Sequence, residues 1–193
     1  AGGKRIVSML PRPKDMLTLL YKGSSRAQVE RAENIAAWLQ REPALPASLH
    51  VLLPQLGQEA TKLADQMRAL GMGEACSLCA ARSFGGCCSA YMAANCDVVL
   101  LVLNRLLGTD LRIQTHESQG RDACCFLDPA GCIFLVKPIF CLNYYCGHLQ
   151  ERIAPADMQK LQTQTSRVLG LQCAFEEQLL QLLRQAPDTL ILF

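Results

Sequence analysis

The sequence predicts a mainly α-helical protein in which helices wrap a cysteine-rich metal-binding centre, with little or no strand. Two observations carry that prediction. Apolar residues recur at intervals of three and four on both sides of residues 73–150, which is the spacing of one helix face. Ten of the eleven cysteines fall between Cys76 and Cys146. With 193 residues, half of them hydrophobic, the chain can bury a core without covalent staples. The expected organisation is an N-terminal helical region over 1–72, a cysteine-cluster region over 73–150, and a C-terminal helix over 151–193 packed on the same domain.

Taken in order, Ala1-Gly-Gly-Lys-Arg reads as a mobile end, and Lys4, Arg5, Arg12 and Lys14 as a solvated basic tail. A short helix is expected over 15–21. The first long helix starts at Ser24 or Ser25, whose hydroxyl can accept the orphan N–H groups there. Val29, Ala32, Ile35, Ala36 and Leu39 form its apolar face, and Pro43 and Pro46 end it. Two segments follow, one over 48–53 and, after Pro54, one over 55–70 with Leu56, Ala60, Leu63, Met67 and Leu70 on one face. Gly71 and Gly73 are expected to end it, since glycine tolerates the left-handed turn common at helix ends.

Asn95 or Asp97 caps a helix over 97–107 that Gly108 closes. A polar loop is expected over 109–123, with a short strand at 111–113. Asp128-Pro-Ala-Gly131 reads as a turn, and 133–136 as a short strand or extended segment halted by Pro138. Pro155 suits the first turn of a last long helix over 156–186. Its apolar stripe is Leu161, Val168, Leu169, Cys173, Leu179, Leu180 and Leu183, with Gly170 a soft point. Leu190-Ile-Leu-Phe193 is apolar enough to dock on the body.

Disulfides, metal and buried apolar packing compete to explain so many thiols. Disulfide frameworks belong to short secreted chains with a leader. No leader pattern is read at the N-terminus, and abundant free cysteine suits a reducing cytoplasm, which is the expected location. Buried cysteine acting as a small hydrophobe accounts for Cys173 and Cys96. It does not account for Cys76-Ser-Leu-Cys79, the pair Cys87-Cys88, and the series Cys124-Cys125, Cys132, Cys141 and Cys146. Gly85-Gly86 before Cys87 lets the backbone come close to a ligand, as thiolates converging on a metal require.

Residues 124–146 read Cys-Cys-Phe-Leu-Asp-Pro-Ala-Gly-Cys-Ile-Phe-Leu-Val-Lys-Pro-Ile-Phe-Cys-Leu-Asn-Tyr-Tyr-Cys. This segment resembles the signature of the YkgJ-like cysteine-cluster family, described as zinc- or iron-chelating. That signature has cysteine, any residue, Phe-Leu, a turn, cysteine, an Ile-aromatic pair, a basic-Pro pair, cysteine, and cysteine five residues on. Its upstream half, CxxC then CC before a helix, is similar to Cys76, Cys79, Cys87 and Cys88 ahead of Asp97. The likeness covers about 76–146. It departs in the long spacer between Cys79 and Cys87, in Lys137 where the family usually has Arg, and in Leu142 after Cys141. The resemblance implies a metal-ligand set of Cys76, Cys79, Cys87, Cys88, Cys124, Cys132, Cys141 and Cys146. Cys124 is preferred over Cys125 because it stands two before Phe126, as in the signature.

Eight thiolates suffice for two sites of four, or for one cluster with spare thiols, and soft sulfur selects zinc, copper(I) or iron–sulfur clusters. An iron–sulfur cluster, 4Fe–4S in type, is the expectation, and zinc the alternative. The cysteines do not form the paired CxxC knuckles of a zinc ribbon, and Phe126, Phe134, Ile139 and Phe140 would shield a cluster. His116 and His148 read as surface histidines, and Glu117, Asp122 and Asp128 as solvated carboxylates. The functions in view are electron transfer or redox sensing with a redox or protein partner, a zinc-binding interaction module, or an enzyme with its cluster beside a substrate pocket. No nucleotide loop, HExxH or Gly-flanked serine is present. A net charge of +2 and 6% aromatics give no basic, aromatic-interleaved stripe, so no nucleic-acid partner is expected. The longest apolar run, 98–103, is far too short to span a membrane, and no membrane partner is expected.

Overall fold

A computed structural model describes residues 17–41, 45–81, 86–114, 123–142, 146–186 and 190. The expectations on Lys4, Arg5, Arg12, Lys14, Pro43, Gly85, His116, Glu117, Asp122, the side chain of His148 and residues 191–193 lie outside the described residues. The fold is mainly helical. Among the described residues, strand amounts to one two-residue antiparallel ribbon.

After a 3-10 turn at Leu17–Leu20, helix α1 spans Ser25–Arg41. Ser24 Oγ accepts the Ala27 N–H at 3.3 Å and caps it. Ala32, Ile35, Ala36 and Leu39 are buried as their spacing predicts, joined by Gln28 rather than Val29. Helix α2, Ala47–Ala69, runs through Pro54 where two segments were expected. Proline inside a helix costs ~3 kcal/mol. That cost is offset because Leu49 and Leu52 continue the buried face of Leu56, Ala60, Leu63 and Met67, and each such side chain contributes about 1.5–3 kcal/mol. Gly71, left-handed at φ +65°, ends the helix as expected.

Gly73 ends nothing. It lies inside helix α3, Met72–Ala80, which the sequence reading did not anticipate and which carries both cysteines of the CxxC. A short helix α4, Ala90–Ala93, follows the second cysteine pair. Helix α5, Val98–Leu106, begins at Asp97, whose side chain accepts the Leu100 N–H at 2.8 Å. Every residue from Val98 to Asn104 is buried, so this all-round apolar helix forms the centre of the core. Gly108, at φ +90°, closes it.

Residues 109–114 are irregular rather than a strand. The ribbon pairs β1, Leu127–Asp128, with β2, Gly131–Cys132, across the expected turn, and Asp128 Oδ1 accepts the Ala130 N–H at 2.8 Å. Residues 133–136 join no ladder among the described residues. Helix α6, Gly147–Gln150, precedes the long helix α7, Pro155–Leu183. The core face of α7 is Leu161, Gln164, Thr165, Val168, Phe175, Leu179 and Leu183. Cys173 is exposed, contrary to its expected place in the stripe, because the core face passes through Val168 and Phe175 seven residues apart. Gly170 leaves the helix unbroken, and Leu190 is half-buried against the core.

Helix α1 lies against α5, and α2 along α7. Arg105 Nε, on α5, meets Glu33 Oε2 of α1 at 2.7 Å, and Gln164 Nε2 donates to Glu59 of α2 at 2.8 Å. Helix α3 packs on both α2 and strand β2, and so joins the cysteine-bearing ribbon to this framework. Among the described residues, no helix is long and apolar enough to cross a membrane.

Candidate metal centre

Two close backbone approaches bring the cysteine clusters together. Helix α3 sits directly on the ribbon turn: a Cβ at Gly131 would lie 2.7 Å from Gly73 Cα, and Ser77 Oγ donates to the Asp128 carbonyl at 2.9 Å. Only paired glycines allow this proximity, and it sets Cys76 and Cys79 beside Cys132. Further along, the Cys124 N–H donates to the Cys88 carbonyl at 3.3 Å, next to an antiparallel bridge between Ser89 and Ala123. The two sequence clusters are thus hydrogen-bonded backbone to backbone.

The result is a cavity of about 630 Å³ whose wall includes Cys76, Cys79, Cys87, Cys88, Cys132, Cys141 and Cys146. Seven of the eight cysteines singled out by sequence therefore face one space. Met67, Met72, Phe134, Phe140 and Leu149 supply apolar wall, and Lys137 and Arg68 supply positive charge. Gly86 acts as expected of a residue that permits close approach, since a Cβ there would lie 2.8 Å from Cys79 Sγ.

Cys124 lies behind this space. It is buried, and it lines a second cavity of about 10 Å³ with Cys96, Cys87, Cys88, Cys132 and Cys141. The apolar wall there comes from Met92, Phe126, Phe134, Pro138 and Phe140, and the Phe126 and Phe134 rings stand 4.7 Å apart. Cys125 points elsewhere: its thiol meets the Ser25 side chain on α1, and it lines neither cavity. Cys96 is buried, as a small hydrophobe would be, yet it stands among thiols. Its only sequence signal was membership of the cysteine-rich stretch.

Burial pushes the Cys124 thiol up to about 12, and burial likewise raises Cys96, Cys132, Cys141 and Cys146, with neighbouring thiols adding repulsion. Cys76 goes the other way, because the Cys88 thiol hydrogen-bonds to it and favours its thiolate, while Cys88 is raised by the same contact. So many thiols can ionise together only beside a compensating positive charge. A metal, if bound, would supply that charge, and the donor set, all soft sulfur, would suit zinc, copper(I) or an iron–sulfur cluster. Among the described residues, no three Cys, His, Asp or Glu side chains already stand as a metal-ligating group. The thiols ring the cavities, so binding would draw them inward. Comparison of the chain with family models, with curated proteins and with solved structures finds no match.

Proposed function

We propose that this chain is a cysteine-thiolate metalloprotein that holds an iron–sulfur cluster, 4Fe–4S in type, for electron transfer or redox sensing in a reducing cytoplasm. One observation carries the reading: seven of the eight nominated cysteines line a single cavity of about 630 Å³. A lone zinc ion with four sulfur ligands at about 2.3 Å needs far less room, whereas a cluster held by four cysteines makes use of it. The resemblance of residues 76–146 to the YkgJ-like family supports the same ligands. A second reading, an enzyme whose cluster sits beside a substrate, is favoured by the space such a cavity leaves over.

The test is elemental analysis with an absorption spectrum on anaerobically purified protein. Iron and sulfide in cluster proportions, with broad absorption near about 400 nm, are the expected result. Zinc alone would replace the redox reading with a structural module. Protein that takes up no metal would remove the reading altogether. The Cys146→Ser variant is expected to lose cluster content, because Cys146 lines the large cavity alone and not the small one.

Lys137 provides a second check. Its Nζ donates to the Phe134 carbonyl at 2.9 Å, and its charge favours the thiolates of Cys76 and Cys132. Lys137→Met is expected to weaken metal retention by about 10–100-fold, the usual effect of losing a group that supports the ligands. Lys137→Arg, which restores the charge, should recover it. Chelator competition measures both, and equal retention in all three proteins would remove Lys137 from the site.

A further inference from the structure

The small cavity behind the large one has the composition of a site in its own right. Six cysteines line it: Cys96 and Cys124, which do not reach the large cavity, and Cys87, Cys88, Cys132 and Cys141, which border both. We propose that Cys96, Cys124, Cys132 and Cys141 form a second, inner site for a single soft metal ion of the zinc type, separate from the cluster bound by the outer thiols. This rests on the thiolate-metal reading above and extends it, because it recruits Cys96 and divides the thiols into two sets.

Size decides what the inner site takes. About 10 Å³ is room for roughly one water-sized sphere, so a bare ion fits and a cluster of iron and sulfide does not. The walls decide its chemistry. Besides sulfur, the lining is Met92, Phe126, Leu127, Phe134, Pro138 and Phe140, with no carboxylate or histidine, so hard cations find no oxygen donors. The four thiols also sense one another electrostatically: Cys124, Cys132 and Cys141 are the thiol neighbours that act on Cys96. Cys96 Sγ makes a long contact with the Met92 carbonyl, 3.7 Å. Giving it up costs little beside four metal–sulfur bonds.

The partition leaves Cys76, Cys79, Cys146 and one of the pair Cys87-Cys88 for the outer set, which is again four thiolates. Shielding differs between the two. Cys96 and Cys124 are buried, whereas Cys76, Cys79 and Cys146, which line the large cavity alone, are each partly exposed. An inner ion is therefore expected to exchange slowly and an outer one rapidly.

The experiment titrates the reduced, metal-free full chain with zinc, as a probe for both thiol sets, and then follows removal by excess chelator. About two ions per chain are expected, leaving in two phases, one fast and one slow. Cys96→Ser and Cys96→Ala should each take up one ion fewer and lack the slow phase, while Cys146→Ser should keep the slow phase and lose the fast one. Helical content by circular dichroism identifies variants that have failed to fold, and for those the biphasic release of the unaltered chain still decides. A single release phase from the unaltered chain, or full uptake by folded Cys96→Ala, overturns the inner site and leaves the outer one standing. No zinc uptake by any of these proteins overturns the inner site, while the cluster reading is decided separately by iron and sulfide content.

Discussion

Replacing Gly131 with alanine is expected to destabilise the protein by about 3 kcal/mol and to loosen metal binding at the same time. Gly131 lies at φ +120°, a conformation that costs an ordinary residue about 1–3 kcal/mol. The new Cβ would also stand 2.7 Å from Gly73 Cα, and backbone cannot swing away as a side chain can. Overpacking of this kind adds about 1–3 kcal/mol. The expected loss of about 3 kcal/mol lies within the summed range of about 2–6, and for a chain of this length it corresponds to a fall in Tm of roughly 6–12 °C. Gly73→Ala tests the contact from the other side. Gly73 is helical, so propensity alone predicts a gain of about 1 kcal/mol, yet its Cβ would run into the Ala130 carbonyl. Net destabilisation by Gly73→Ala would show that contact outweighs propensity. Gly170→Ala is the control: it lies within α7 with nothing inside 4 Å of the added Cβ, and stabilisation by about 0.5–1 kcal/mol is expected. Thermal melts of the three variants suffice. If Gly73→Ala and Gly170→Ala behave alike, the glycine contact does not hold α3 on the ribbon.

The two features just used mark where the sequence was readable and where it was not. Helices α1, α2 and α7 were legible because burial of one face imposes a period, and α5 because an unbroken apolar run lies between its end signals; Ser24, Gly71, Asp97 and Gly108 announce helix ends through groups the backbone needs there. Helix α3 was not legible. Its nine residues are too few to establish a period, and glycine and cysteine are poor helix formers. It exists because Gly71 reverses the chain and Gly73 lets it rest on the ribbon. Its consequence for the site is large: Cys76 and Cys79, three apart on a helix, share a face. Pro54 misled in the opposite sense, since a local breaker was overridden by the long buried face around it. Among the thiols, spacing identified candidates but could not sort them. Cys124 and Cys125 are neighbours in sequence, and only the fold sends one to the inner cavity and the other to Ser25. Cys96 looked inert because nothing local distinguishes a buried thiol beside hydrophobes from one beside other thiols.

Asn104→Leu is expected to cost about 2–6 kcal/mol, although the residue lines neither thiol-walled cavity. Asn104 is wholly buried in α5 and reads in sequence as an ordinary polar helix position. Its amide instead acts as a strand partner for Val136, 32 residues away. Nδ2 donates to the Val136 carbonyl at 2.9 Å, and Oδ1 accepts the Val136 N–H at 3.0 Å. Val136 is itself fully buried, so leucine would strand one donor and one acceptor away from water, each at about 1–3 kcal/mol. Between Cys132 and Cys141, this tether, with the Ile133 N–H bonded to the Phe126 carbonyl at 3.0 Å, helps hold the loop bearing Phe134 and Lys137 against the core, and its loss should lower metal retention along with stability. Asn104→Asp separates hydrogen bonding from volume. When protonated, aspartic acid can still donate one bond and accept another. When ionised, it is a buried charge whose donor has gone. Desolvation should raise its folded-state pKa above the unfolded value near 3.9. The stability it retains should therefore be fully present below that value and lost as pH rises through the folded pKa. Denaturant melts across pH should find the aspartate variant approaching the unaltered protein in acid and falling away from it toward neutrality, relative to a leucine variant lacking that dependence. Parallel pH profiles for the two variants would mean that Val136 is held by packing rather than by the Asn104 amide.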